Sequence, residues 1–121
     1  MSKFGMMMLV AVATLAGTAG SVSAKTIYDG RWSVVIITDR GSCDRAYRYS
    51  IDIRDGIVHY DGDVVDMSGR VASNGAVRVA VSRGSQRASG QGRLGRSFGT
   101  GNWSGLGTGE TCSGRWEAER R

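Results

Sequence analysis

The sequence has no proline and only one histidine, His59, and it contains two cysteines. With one histidine, and with both cysteines expected to be oxidised, there is no Ser-His or Cys-His pair to activate a nucleophile. Three carboxylates lie close to His59 in the sequence, namely Asp61, Asp63 and Asp66. Their spacing fits no known cation-binding loop, and a solvated turn explains them better. We therefore expect no enzyme activity, no metal site and no cofactor.

The sequence also lacks an apolar run long enough to span a membrane. The longest run extends from Met6 to Ala16, well short of the ~20 residues that a spanning helix needs. It follows the positive Lys3 and precedes the small-residue stretch "SVSA" before Lys25. This pattern predicts a secretory signal peptide over residues 1–24 and one exported domain over residues 25–121. We expect a periplasmic or secreted protein with no transmembrane segment.

An even number of cysteines in an exported chain indicates a disulfide. We predict that Cys43 and Cys112 are bonded to each other. The long loop that this bond closes would contribute roughly 4 kcal/mol to stability in the chain-entropy model. For so small a domain, that is a large share of the total.

Short stretches of alternating apolar and polar residues dominate residues 25–121, and the whole chain contains nineteen glycines. From Tyr47 to Ile53, for example, the odd positions are apolar or aromatic and the even positions are polar. Such alternation predicts strands with one buried face. We expect eight strands, near residues 31–38, 45–54, 57–60, 64–72, 76–82, 86–94, 98–105 and 111–119. The predicted fold is all-β, an eight-stranded antiparallel up-and-down meander closed into a small barrel with one disulfide.

Alternation also predicts the turns. A bulged turn that ends on Gly75 places Val71 opposite Val77, whereas a two-residue turn would place Val71 opposite a solvent-facing position. At Asp55-Gly56, a two-residue turn instead aligns Ile53 with Val58 and directs His59 outward. We predict both of these turns.

Two interpretations are open for the Gly- and Arg-rich stretch 83–101. It resembles a flexible low-complexity segment in composition. Against this, Ala88, Gly90, Gly92 and Leu94 keep an inward alternation. We expect ordered strands, with the glycines serving as bends or as space beneath large rings.

Each of the three tryptophans, Trp32, Trp103 and Trp116, follows a glycine by two positions. A glycine two residues earlier lies on the same face of a strand and leaves room for an indole. We therefore predict that Gly30, Gly101 and Gly114 are spacers for the tryptophans that follow them, and that the three tryptophans plug the barrel. If Trp116 pairs near Val34, Trp32 and Trp116 fill the end away from the disulfide.

The "GRW" at 30–32, at the start of the first strand, resembles the G-x-W of calycin-type barrels, the lipocalins and avidins, in which the tryptophan plugs one end. The stretch "GSCDRAYRYSI" is similar to the cysteine region of periplasmic metalloprotease inhibitors, although Cys112 lies far later than their second cysteine. The ending "CSGRWEAERR" resembles small exported proteins of alphaproteobacteria without assigned function. These resemblances imply a barrel and carry over no ligand.

The whole chain has a net charge of +5. A basic chain with aromatic residues suggests that the protein binds nucleic acid. Export and the inward position of the tryptophans argue against that function. Electrostatic contact with anionic envelope polymers suits the charge better.

Two classes of function remain. The first is a binding module that holds a small apolar ligand or another exported protein. The second is a structural envelope-surface protein with no pocket, and a periplasmic protease-inhibitor-like role is a further alternative. Any binding site is expected at the open rim of the barrel beside the disulfide. The candidate rim residues are Asp39, Arg40, Asp44, Arg45 and Glu110.

Overall fold

The protein is an antiparallel β-barrel of eight strands. The computed structural model describes residues 25–107 and 109–121, and every regular element in those residues is a strand. The strands are β1 (Gly30–Arg40), β2 (Ala46–Arg54), β3 (Ile57–His59), β4 (Asp66–Val71), β5 (Ala76–Arg83), β6 (Gln86–Leu94), β7 (Phe98–Leu106) and β8 (Thr111–Arg120). Each strand pairs with the next, and β1 pairs with β8, which closes the barrel. The predicted fold is confirmed, whereas the predicted signal peptide lies outside the described residues.

The hairpin registers follow the turns predicted from the sequence. Val71 pairs with Val77, and Gly75 has a φ of +92°. Ile53 pairs with Val58, and both turn residues between their strands have positive φ, as a type I′ turn requires. Because these registers are right, the odd positions of β2, β4 and β5 face the barrel interior as expected.

The Gly- and Arg-rich stretch forms ordered strands. β6 pairs with β5 from Gln86 to Arg93, and it pairs with β7 from Arg87 to Leu94. Leu94 is buried at the end of β6. The alternative of a flexible low-complexity segment is therefore wrong for β6 and β7.

The disulfide between Cys43 and Cys112 is present, with the two Cα atoms 6.2 Å apart. It joins the loop after β1 to the start of β8, so it lies at one end of the barrel. This end also holds the loops between β3 and β4, between β5 and β6, and between β7 and β8. The other end holds the remaining three turns and residues 25–29, which precede β1.

The hydrophobic core is concentrated at the end away from the disulfide. Its buried side chains are those of Tyr28, Trp32, Ile53, Val58, Val71, Val77, Leu94, Trp116 and Ala118. Toward the disulfide, inward side chains such as Ile36, Met67 and Val79 are only half-buried. No helix in the described part of the chain is long and apolar enough to cross a membrane.

Candidate binding cavity

The floor of the barrel is a buried tryptophan. The side chain of Trp32 is fully buried, and its Nε1 donates a hydrogen bond to the carbonyl of Tyr28 at 2.8 Å. Tyr28 is itself buried in the segment that precedes β1. This segment therefore closes the barrel end from outside while Trp32 closes it from within.

Arg120 holds this floor together. Its guanidinium lies 4.8 Å from the centre of the Trp32 ring, within the range of a cation–π contact. It also donates hydrogen bonds to the carbonyls of Ile27, Asp29 and Arg96, at 2.5, 2.8 and 2.7 Å. The Arg120 side chain occupies the space beside Gly30, because a Cβ added at Gly30 would lie 2.9 Å from Arg120 Nη1. Gly30 is thus a spacer for Arg120 rather than for Trp32.

Trp116 lies one layer above the floor, in the middle of the barrel. Trp116 pairs with Ile36, two residues along β1 from Val34. Its indole extends over two glycines of the neighbouring strands: a Cβ at Gly101 would lie 2.5 Å from the ring, and one at Gly92 would lie 2.6 Å from it. The Trp116 Nε1 then donates to the carbonyl of Gln91 on β6, at 3.3 Å.

Trp103 lies still closer to the disulfide. It pairs with Gly114, which in turn pairs with Thr38 near the end of β1. The Trp103 Nε1 reaches across β8 to donate to the carbonyl of Ile37 at 2.9 Å. A Cβ at Gly114 would overlap this same carbonyl. Of the three tryptophans, Trp103 therefore lies nearest to the disulfide, whereas Trp32 and Trp116 belong to the buried core.

The two later G-x-W motifs lie opposite each other. On the antiparallel strands β7 and β8, Gly101 is opposite Trp116 and Gly114 is opposite Trp103. A Cβ at Gly101 would meet the Trp116 ring, whereas a Cβ at Gly114 would meet the backbone of β1 at Ile37. Gly101 therefore makes space for the tryptophan of the neighbouring strand and not for the one that follows it in the chain.

Above the floor, the barrel encloses a cavity of about 520 Å³. Volumes of 300–1,000 Å³ are typical of pockets that enclose small-molecule ligands. The wall is formed mainly by inward apolar and aromatic side chains, including those of Val34, Ile36, Ile51, Met67, Val79 and Trp103. These residues are half-buried although they point inward, because the cavity and not packed protein lies beside them.

The mouth of the cavity is at the disulfide end, where apolar side chains are exposed. Tyr47, Val64 and Leu106 are each 40–51% exposed, and all three line the cavity. The ring of Tyr47 stacks on that of Tyr49, which meets Tyr60 edge-on. Burial raises the pKa of Tyr49, and Tyr47 and Tyr60 add to this effect. The mouth thus presents an aromatic wall to solvent.

Charged groups of both signs line the mouth. Arg83 and Arg87, at the hairpin between β5 and β6, line the cavity, as do Asp44 and Glu110 from the β1–β2 and β7–β8 loops. Arg83 is close enough to the aromatic wall to oppose the raised pKa of Tyr49. In a closed barrel of eight strands, the β1–β2 hairpin lies opposite the β5–β6 hairpin. Asp44 therefore lies across the mouth from the two arginines, whereas Glu110 lies in the hairpin next to theirs.

The five predicted rim residues all lie at the disulfide end, but they face different ways. Asp44 and Glu110 line the cavity. Asp39 pairs with Arg115 at 3.1 Å on the exterior. Arg40 and Arg45 are exposed and do not line the cavity.

Three groups at the site were not anticipated from the sequence. The alternation could have identified Arg83 as an inward residue, because it follows Val77, Val79 and Val81 at odd positions of β5. Tyr47 and Tyr49 were placed inward, but nothing in the sequence marked them as the mouth. No local sequence pattern marks Arg120 as part of the floor. The carbonyls of Ile27 and Asp29, which accept its hydrogen bonds, belong to residues more than ninety positions away in the chain.

Three comparisons with known proteins were negative: no family model, no curated protein and no solved structure matches the chain. The likenesses to calycin-type barrels and to exported bacterial proteins stay predictions. The cavity itself is therefore the main indication of function.

Proposed function

We propose that this protein binds a small apolar molecule inside its barrel and catalyses no reaction of that molecule. The observation that carries the proposal is the cavity of about 520 Å³, which has an apolar wall, a closed floor and an open mouth. Burying apolar ligand surface contributes roughly 25 cal/mol per Å², so such a wall favours an apolar occupant. A structural protein without a pocket has no need of such a cavity.

Export is part of the proposal. A disulfide is compatible with an oxidising environment outside the cytoplasm. We propose that the protein works in the periplasm or after secretion, where a closed barrel would shield an apolar molecule from water. Electrostatic contact of the basic exterior with anionic envelope polymers is compatible with this role and would occur outside the cavity.

The test uses one inward and one outward substitution on β5. Val81 lines the cavity, whereas its neighbour Ala80 is exposed on the outer face. Titration of the purified protein with the neutral fluorescent probe N-phenyl-1-naphthylamine should show saturable one-to-one binding. Val81→Trp should weaken binding about tenfold or more because the indole occupies the cavity. Ala80→Trp should leave binding unchanged.

Urea denaturation of both variants provides the control for folding. Equal binding by Val81→Trp and Ala80→Trp, with both folded, would place the probe outside the barrel. Absence of saturable binding by the wild type to this probe and to a series of apolar ligands would contradict the proposed function and favour a structural role.

A further inference from the structure

We propose, on the basis of the function above, that the ligand is an amphiphile: a long apolar chain inside the barrel with an anionic head group held at the mouth by Arg83. The inner face of β5 suggests this directly. From floor to mouth it presents Val77, Val79 and Val81, and then Arg83. A molecule lying along this face meets three apolar side chains and then a guanidinium.

The charge around the mouth favours an anion on this side. Arg83 and Arg87 both line the cavity, and neither forms an ion pair with a carboxylate in the described residues. Three arginines elsewhere, Arg31, Arg54 and Arg115, are paired with carboxylates. The guanidinium groups on the cavity side are therefore available to a ligand.

A carboxylate across the mouth favours one orientation. Asp44, in the β1–β2 loop, lines the cavity opposite the β5–β6 hairpin. Glu110 lines the cavity from the neighbouring β7–β8 hairpin, and it accepts a hydrogen bond from the backbone N–H of Ser42 at 3.3 Å. Asp61 and Asp63, in the β3–β4 loop, do not line the cavity. An anionic head group would thus be repelled by Asp44 and attracted to Arg83.

Arginine suits a head group of this kind. Its planar guanidinium donates two parallel hydrogen bonds to a carboxylate or a phosphate. Because the mouth is open to solvent, an anion there keeps part of its hydration while the apolar chain is buried. A carboxylate and a phosphate monoester share this chemistry, and the experiment below separates them.

The experiment compares ligands that have one chain and different head groups. Dodecanoate, dodecyl phosphate, dodecanol and dodecyltrimethylammonium are titrated into the purified, oxidised protein by calorimetry, below the concentration at which any of them forms micelles. The anionic ligands should bind about three- to tenfold more tightly than dodecanol, as expected for a partly exposed ion pair. The ratio between dodecanoate and dodecyl phosphate identifies the preferred anion. The preference should decrease as salt is added.

Matched arginine variants assign the head-group contact. Arg83→Gln should remove the preference for the anionic ligands, so that dodecanoate and dodecyl phosphate bind the variant about as tightly as dodecanol does. Arg78→Gln is the control, because Arg78 is on the same strand but is exposed on the outer face. It removes the same charge and should keep the preference.

The possible failures are distinguishable. Equal binding of dodecanol and dodecanoate by the wild type would overturn the head-group proposal while the proposed apolar binding stands. A preference that survives Arg83→Gln, or that Arg78→Gln also removes, would overturn the role of Arg83. Binding of none of the four ligands would count against both this inference and the proposed function.

Discussion

At the closed end of the barrel, backbone carbonyls from two separate segments converge on the guanidinium of Arg120, which also covers the fully buried ring of Trp32. At the open end, two neighbouring loops are joined by the disulfide and by one hydrogen bond of 3.3 Å to Glu110. Both ends lie on the same eight strands. One end is closed by dense non-covalent packing, and the other is fixed mainly by a covalent bond.

This difference places the main source of folding stability at one end of the barrel and the entrance to the cavity at the other. Buried apolar contacts and satisfied hydrogen bonds are concentrated at the floor, which is where we expect most of the free energy of folding. The disulfide constrains the rim without filling it. Apolar side chains such as Tyr47 and Leu106 can therefore stay exposed around an open cavity.

The largest expected effect comes from breaking the floor. Trp32→Ala should lower the free energy of unfolding by about 3–5 kcal/mol, because a fully buried indole is removed. Trp103→Ala should cost less, since Trp103 is half-buried beside the cavity. Urea denaturation of both variants measures the difference. Equal costs would show that the two ends do not differ in packing.

Removing the disulfide should have the next largest effect. The double variant Cys43→Ser, Cys112→Ser should lose about 2–4 kcal/mol, because the bond closes a long loop of sequence separation 69. The fluorescence of Trp32, at the opposite end, should remain that of a buried indole in the folded variant. Exposure of Trp32 would show that the two ends are not independent.

Two glycines of β6, Gly90 and Gly92, test the packing around Trp116. Gly92→Ala should cost about 1–3 kcal/mol, because its Cβ would overlap the backbone carbonyl of Thr100 and lie 2.6 Å from the Trp116 ring. Gly90→Ala, two residues earlier on the same face, is the control, since its nearest neighbours are 3.6 Å away. It should be neutral or slightly stabilising. A similar cost at both positions would mean that Trp116 does not depend on this spacing.

The hairpins were predictable because each is determined by local chemistry. Gly75 and Asp55-Gly56 specify turns, and a turn specifies the register of the two strands that it joins. The pairing of β1 with β8 has no such turn. Its register depends on the stagger of the closed barrel and on the irregularity near Asp39, which no residue in the sequence marks. This is why the sequence could place the partner of Trp116 only near Val34, two residues from its actual partner Ile36.

The cavity could be predicted only in part. Alternation placed the apolar side chains inward, but it gave no measure of how much of the interior they fill. The size of the cavity depends on where the three indoles lie, and hence on the same β1–β8 register. Arg83 is the next inward residue after the apolar series of β5. It could be recognised as a candidate ligand contact only once that end of the strand was known to be the mouth of the cavity.

The smallest expected effect, at the closed end, depends on pH. Burial alone would raise the pKa of Asp29, but hydrogen bonds from the Thr26 hydroxyl and from the backbone N–H groups of Asp55 and Gly56 outweigh it and lower that pKa. A carboxylate with a lowered pKa stabilises the fold above its unfolded value of about 3.9, and this contribution is lost as the pH falls through the folded value.

Asp29→Asn should therefore destabilise the protein near neutral pH, by about 1 kcal/mol or less because the group is partly exposed. The amide nitrogen of the variant would face an N–H donor of the β2–β3 turn, where the carboxylate accepts two. Urea midpoints measured from about pH 7 down to about pH 3 should show the two proteins converging below about pH 4. Asp61→Asn, in an exposed loop at the open end, should stay within about 0.5 kcal/mol of the wild type at neutral pH. A gap between wild type and Asp29→Asn that is unchanged by acid would show that the charge of Asp29 plays no part in closing this end.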